Sequence, residues 1–141
     1  MALFFSSIKK RIGDLSTKVF MSDDAQSYYN AFKFVFQEAD NRLLCSWHVK
    51  NSWIKNWCKI QDVQLREEMK GRLATIYNEM NEAAFELQLD SLVEDLLNEP
   101  RTQVFAEYFI RYYSNRRKEW APCYRKGLHV NTNMHLENMH R

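Results

Sequence analysis

Residues 18–48 read KVFMSDDAQSYYNAFKFVFQEADNRLLCSWH. Two short apolar runs, 18–21 and 42–45, flank a segment with helical periodicity, and this order predicts a strand, a helix and a second strand. A strand–helix–strand unit normally forms a right-handed crossover between parallel strands. Because two strands alone do not make a stable sheet, either further strands come from outside this chain or helices dominate the fold.

The rest of the chain has a helical pattern. Apolar residues recur at helical spacing in segments 3–12, 47–59, 65–80, 85–97 and 104–113. Only three glycines and two prolines occur in 141 residues, which argues against a β-sandwich or barrel and favours long helices. A composition of 45% apolar and 27% charged residues is typical of one globular domain. We therefore expect an α/β, mostly helical fold.

Composition also bears on location. No apolar run approaches the roughly 18 residues of a transmembrane helix, so we expect no membrane partner. Three cysteines argue against a disulfide framework and favour a reducing, intracellular compartment.

The charges are unevenly distributed, although the net charge is only +2. Residues 41–72 carry a net +4, residues 73–100 a net −7 and residues 101–141 a net +5. Either the basic segments bind a polyanion or they pair with the acidic segment inside the molecule. Four acidic residues recur at a spacing of four, and a solvated face or a basic neighbour would relieve their repulsion: Glu82, Glu86, Asp90 and Glu94.

Two carboxylates are candidate metal ligands. Asp23 directly follows the first predicted strand, at the edge where ligands bind in open α/β sheets. The alternative role of Asp23 is a helix N-cap, with Gln26 completing a capping box. Glu137 has Asn133 and His140 about one turn away on a predicted last helix, where a carboxylate can hold a divalent ion, and its alternative role is that of a surface residue.

Cys45 and His48 are separated by two residues, which is the spacing of half a zinc site. No matching second pair follows among the remaining Cys and His residues. The alternative is a buried thiol and a hydrogen-bonded imidazole where the second strand meets the next helix.

Cations and aromatic rings alternate between residues 111 and 126. The aromatic residues there are Tyr112, Tyr113, Trp120 and Tyr124, and the cations are Arg111, Arg116, Arg117, Lys118, Arg125 and Lys126. Rings that stack on bases and cations that contact phosphates are typical of nucleic-acid binding. Tyr112 and Tyr113 also continue the apolar stripe of their helix, so a core role is the alternative.

Three segments in this order resemble the catalytic region of Mutator-like element (MULE) transposases. The first reads VFMSDDA at 19–25 and is followed by YNAF at 29–32. The second reads LLCSWHV at 43–49, and the third reads NTNMHLENMHR at 131–141. The resemblance covers nearly the whole chain, and the ordered combination is far more specific than any one segment.

The resemblance implies a partial ribonuclease-H-like fold with two short strands and a large all-α insertion. Residues 1–60 correspond to the α/β part, 61–120 to the insertion and 121–141 to the start of the helix that carries the third acid. It implies that Asp23 and Glu137 are the second and third acids of an Asp-Asp-Glu site for Mg²⁺ or Mn²⁺, with the adjacent Asp24 as the alternative to Asp23. Cys45 and His48 correspond to the family's Cys-x-x-His, for which Zn²⁺ is one hypothesis. DNA is the implied partner, homo-oligomers are an open alternative, and the nucleus is the implied location.

The family's first Asp and first three strands precede the position where this sequence begins, and its SWIM zinc-binding segment follows the position where it stops. We therefore expect that this chain alone neither cuts nor joins DNA and that its ancestral role was metal-dependent strand transfer. Two alternatives remain, which are a domesticated, non-catalytic DNA- or protein-binding module and a helical domain without a ligand.

Overall fold

The computed structural model of the protein describes residues 1–128 and 130. These residues are mostly helical, with one short two-stranded parallel sheet. The chain divides into two compact units, whose described parts are Met1–Val49 and Lys50–Val130. Within the described residues, no helix is both long enough and apolar enough to cross a membrane.

The first unit contains the sheet. Its elements are α1 (Ala2–Ile12), β1 (Val19–Ser22), α2 (Gln26–Phe36) and β2 (Asn41–Leu44). The strands pair in parallel, with Val19 opposite Asn41 and Ser22 opposite Leu44. The predicted strand–helix–strand order is confirmed, and each strand lies within one residue of its predicted bounds. Gly13 ends α1 with a φ of 78°, which glycine adopts without a steric penalty.

Aromatic rings form the core of the first unit. Phe32 of α2 is buried, and its ring centroid lies 4.6 Å from that of Phe20 and 5.7 Å from that of Phe5. Lys9 of α1 donates a hydrogen bond from Nζ to the carbonyl oxygen of Val35 at 3.0 Å. These contacts hold α1 and β1 against α2, yet no residue of α1 is itself fully buried.

The second unit is entirely helical in its described part. Helix α3 (Ser46–Asn56) begins before this unit and continues into a 3₁₀ turn, Trp57–Lys59. The later helices and turns follow in chain order: α4 (Val63–Asn78), α5 (Glu82–Asn98), a 3₁₀ turn Pro100–Thr102, α6 (Gln103–Tyr112), a 3₁₀ turn Ser114–Arg116, α7 (Arg117–Trp120) and a 3₁₀ turn Pro122–Arg125. Asp62 and Asn81 cap α4 and α5, because their side chains accept hydrogen bonds from backbone N–H groups of the first turn.

Trp120 lies at the centre of the second unit's core. Its side chain is fully buried, and its Nε1 donates to the carbonyl oxygen of Tyr113 at 2.9 Å. The rings of Trp53 and Phe85 meet it edge to face, with centroids 5.2 Å and 5.6 Å away. This arrangement buries large apolar area while it satisfies the indole N–H.

Candidate functional site

The carboxyl ends of β1 and β2 bring two of the predicted site residues to one edge of the sheet. The N–H of Cys45 donates to the carbonyl oxygen of Ser22 at 2.8 Å, so the strands remain paired to their ends. Asp23 is the next residue after β1, and its side chain is exposed. Parallel strands end at the same edge of a sheet, and this is the edge where α/β folds bind ligands.

The prediction that Asp23 caps α2 is wrong. Helix α2 begins at Gln26, and Ala25 occupies the N-cap position without a side-chain capping bond. The capping box is therefore not formed, because the helix starts later than the pattern indicated. The carboxylate of Asp23 is not used by the amides of α2 and faces solvent at the strand end.

The metal hypothesis needs more ligands than this edge supplies. Within residues 1–128 and 130, no three His, Cys, Asp or Glu side chains lie close enough together to hold a metal ion. Glu137, the predicted third acid, lies outside the described residues, as do His129, His135 and His140. The described residues do not by themselves form a divalent-metal centre, and no catalytic step follows from their geometry.

Cys45 and His48 lie where β2 passes into α3. Cys45 is fully buried, and its carbonyl oxygen accepts a hydrogen bond from the N–H of Val49 at 3.0 Å. His48 is half-buried, and its ring meets the ring of Trp47 edge to face with centroids 4.8 Å apart. The three cysteines all lie within the described residues, and none of them forms a disulfide bond. The geometry matches the buried-thiol alternative, and zinc binding stays a prediction.

No family model matches this chain, and neither a curated protein nor a solved structure matches it significantly.

The six predicted nucleic-acid-binding cations fall into two groups of three. Arg111, Lys118 and Lys126 are exposed. The guanidinium of Arg111 lies 5.5 Å from the ring centroid of Tyr112, and the ammonium of Lys118 lies 5.9 Å from that of Tyr124. These three cations can reach a polyanion in solvent.

The other three cations are engaged within the protein. Arg116 forms an ion pair with Glu119 at 2.8 Å. Arg125 is buried and donates to the carbonyl oxygen of Glu119, also at 2.8 Å. Arg117 pairs with two carboxylates of α5, Glu86 and Asp90. Their side chains therefore stabilise the fold, and contact with DNA would require these bonds to break.

Arg117 is the basic neighbour of two carboxylates of the acidic repeat of α5, whereas Glu82 and Glu94 are exposed to solvent. The guanidinium bonds both Glu86 and Asp90, which are four residues apart. The hydroxyl of Tyr124 donates to the same Glu86. Burial, followed by this bond to a carboxylate, raises the pKa of Tyr124 well above its ordinary value. Part of the basic segment therefore pairs with the acidic segment, as the charge distribution allowed.

Sequence reasoning missed a groove between α4 and α5. The groove has a volume of about 530 Å³, and Gly71, Ile76, Leu87 and Ser91 are among the residues that line it. Two signals were available, a glycine inside a helical segment and a leucine on the acidic helix face. Neither signal is specific before the two helices are paired.

Proposed function

We propose that this chain acts in the catalytic region of a MULE-type transposase, with Asp23 as a ligand of the divalent ion used in DNA strand transfer. One observation carries the proposal: Asp23 directly follows β1 of a parallel β–α–β unit, with its carboxylate exposed and not used as a helix cap. The ordered sequence resemblance supplies the family, the ribonuclease-H-like fold and a DNA partner in the nucleus.

Asp23 and Glu137 are the proposed carboxylate ligands within this chain. A bound Mg²⁺ or Mn²⁺ would activate water or a 3′-hydroxyl and stabilise the leaving oxygen. Asp23 is suited to bind a metal ion because the paired strand β1 fixes the backbone just before it, while its side chain remains accessible to solvent. Cys45 lies at the same strand edge, where a buried thiol supports the local packing.

A manganese titration tests the role of Asp23. Paramagnetic Mn²⁺ should broaden the amide NMR signals at the carboxyl ends of β1 and β2, including those of Ser22, Asp23 and Cys45, in the wild-type chain. Asp23→Asn should abolish that broadening, because the amide oxygen is a weaker ligand than a carboxylate. The matched control is Asp24→Asn, which changes the neighbouring exposed carboxylate and should retain the effect. Equal broadening in wild type and Asp23→Asn would overturn the assignment.

A non-catalytic DNA-binding module is the second candidate function. The observation in its favour is that Arg111 and Lys118 are exposed close to aromatic rings. Cations and rings together can contact phosphates and stack on bases. This candidate needs no metal ion, so it survives if the manganese test fails.

The salt dependence of DNA binding tests the second candidate. The triple variant Arg111→Ala, Lys118→Ala and Lys126→Ala should weaken binding to duplex DNA. If each cation neutralises one phosphate, the slope of log affinity against log salt should become shallower by about 2.7. Lys55→Ala, which removes an exposed cation from α3, is the control and should leave the slope unchanged. An unchanged slope in the triple variant would exclude this surface.

A further inference from the structure

The groove between α4 and α5 has an apolar end and an acidic end. The two helices run antiparallel, because Arg72 pairs with Asp95 at 2.7 Å while Glu79 accepts from Gln88 near the connecting turn. Ile76 and Leu87 lie near that turn, where Ile76 is buried at the floor of the groove and Leu87 is 74% exposed. Leu87 therefore offers an apolar contact surface at the rim of the groove.

The opposite end of the groove carries negative charge. Glu67 and Glu68 line it together with Arg72; Arg72 is paired with Asp95, and Glu67 is paired with Lys70, both at 2.7 Å. Glu68 has no ion pair within the part of the chain that the structure describes. The middle of the groove is open above Gly71, because a Cβ placed there would meet no atom within 4 Å. An occupant should therefore be apolar at one end and basic at the other.

The exposed face of α1 is apolar near one end of the helix and basic near the other. Leu3 and Phe4 are 84% and 64% exposed, although both are large apolar residues. Lys10 and Arg11 are also exposed, and neither forms an ion pair with any described residue. Leu3 and Lys10 are seven residues apart, as are Phe4 and Arg11, so both pairs share one face of the helix.

The distance between the apolar and the charged groups is similar on α1 and along the groove. Seven residues of helix separate the apolar and basic groups of α1 by about 10 Å. On α4, Glu68 and Ile76 are eight residues apart, or about 12 Å. If α1 lies antiparallel to α4, Leu3 and Phe4 meet the apolar end of the groove while Lys10 and Arg11 meet the acidic end.

We propose that α1 of one copy of this chain binds the α4–α5 groove of a second copy, forming a symmetric dimer. In a two-fold dimer the contact is made twice, since each copy gives its α1 and receives the other's. Doubling the contact favours a stable interface, which normally buries roughly 1,200–2,000 Å². The proposal goes beyond the proposed function, and its test uses neither DNA nor metal.

Charge reversal combined with mixing tests the contact. One variant carries Lys10→Glu and Arg11→Glu, and the other carries Glu67→Lys and Glu68→Lys. Each full-length variant alone should sediment as a monomer at concentrations where the wild type dimerises, because like charges meet at both contacts. Mixing the two variants should restore the dimer, since opposite charges then meet twice. Docking of α1 within a single copy cannot produce this rescue.

Two controls separate specific docking from general charge effects and from misfolding. Glu82→Lys with Glu107→Lys makes the same change in net charge outside the groove lining, and this variant should dimerise as the wild type does. Gly71→Leu should fill the groove and abolish dimerisation, whereas Gly71→Ala should leave the groove open and the dimer intact. The proposal is overturned if the wild type stays monomeric at its highest soluble concentration. It is equally overturned if mixing does not restore dimers or if Gly71→Leu dimerises normally.

Discussion

Arg117 shows how much one side chain contributes to the arrangement of the second unit. Its side chain is only 18% exposed, and its guanidinium bonds two carboxylates of α5 as well as the carbonyl oxygen of Ser114. The sequence left two ways to relieve the acidic repeat open, a solvated face or a basic neighbour. It did not indicate which cation, because six candidates lie within 16 residues and their directions depend on the turn that follows α6.

Replacing Arg117 by Ala should lower the free energy of unfolding by about 1–2 kcal/mol. The variant leaves the half-buried Glu86 without the Arg117 guanidinium that pairs with it. Loss of the ion pair with Asp90 lowers the stability less, because Asp90 is more exposed. Urea denaturation measures the difference. Arg111→Ala, which removes an exposed cation, should stay within about 0.5 kcal/mol of wild type. Equal losses for the two variants would contradict the role of the Arg117 ion pairs.

Asp23 shows a second limit to what the sequence predicts about single residues. The segment SDDAQ offers several possible caps, and the capping-box interpretation required α2 to begin two residues earlier than it does. Helix ends are uncertain by one or two residues from sequence, which is enough to move a side chain from a cap to a free position. The position of Asp23 after the strand was nevertheless predictable.

At the scale of elements, a compact corner joins α5 to α6. Thr102 is fully buried, and its hydroxyl donates to the carbonyl oxygens of Leu96 at 2.7 Å and Glu99 at 3.0 Å. Arg101 bonds the carboxylates of both Glu99 and Asp62. Pro100 begins a 3₁₀ turn, and α6 starts at Gln103.

The pairing of Glu99 with Arg101 at this corner should make the thermal stability of the protein depend on pH. The hydrogen bonds that Arg101 donates from its side chain and backbone lower the pKa of Glu99 from 4.5 to about 2. A depressed pKa in the folded state stabilises the protein above the unfolded pKa, and that contribution disappears as the pH falls from about 4.5 to about 2. Wild type should therefore exceed Glu99→Gln in thermal stability at neutral pH, and the difference should vanish near pH 2.

Thermal melts of both proteins across this pH range measure the effect. Glu107→Gln, which changes an exposed carboxylate on α6, is the control and should show no such convergence. A constant difference between wild type and Glu99→Gln would contradict the proposed linkage.

At the scale of the whole molecule, the two units have different kinds of core. The first combines a sheet of two four-residue strands with aromatic packing around Phe32. The second buries α5 along its length, since Phe85, Leu89 and Leu96 are completely inaccessible. Two paired strands contribute few cooperative hydrogen bonds, so local stability should differ between the units.

Native-state hydrogen exchange should reveal this difference. We expect the amides of β1 and β2 to exchange through openings of lower free energy than the amides of α5, because β1 is only partly buried. NMR-detected exchange over a range of denaturant concentrations measures both sets in one sample. Equal opening free energies would show that the short sheet is as stable as the helical core.

The sequence by itself determined the order of elements and the place of Asp23. Helical periodicity, the glycine after α1 and the apolar runs around residues 20 and 43 are local properties of the sequence. The helices and strands follow from them. Only the tertiary structure decided which cations remain exposed, which pair with α5, and where a groove opens beside Gly71. These features depend on contacts between residues distant in sequence, such as Arg117 and Glu86, whose relative directions are set by helix packing.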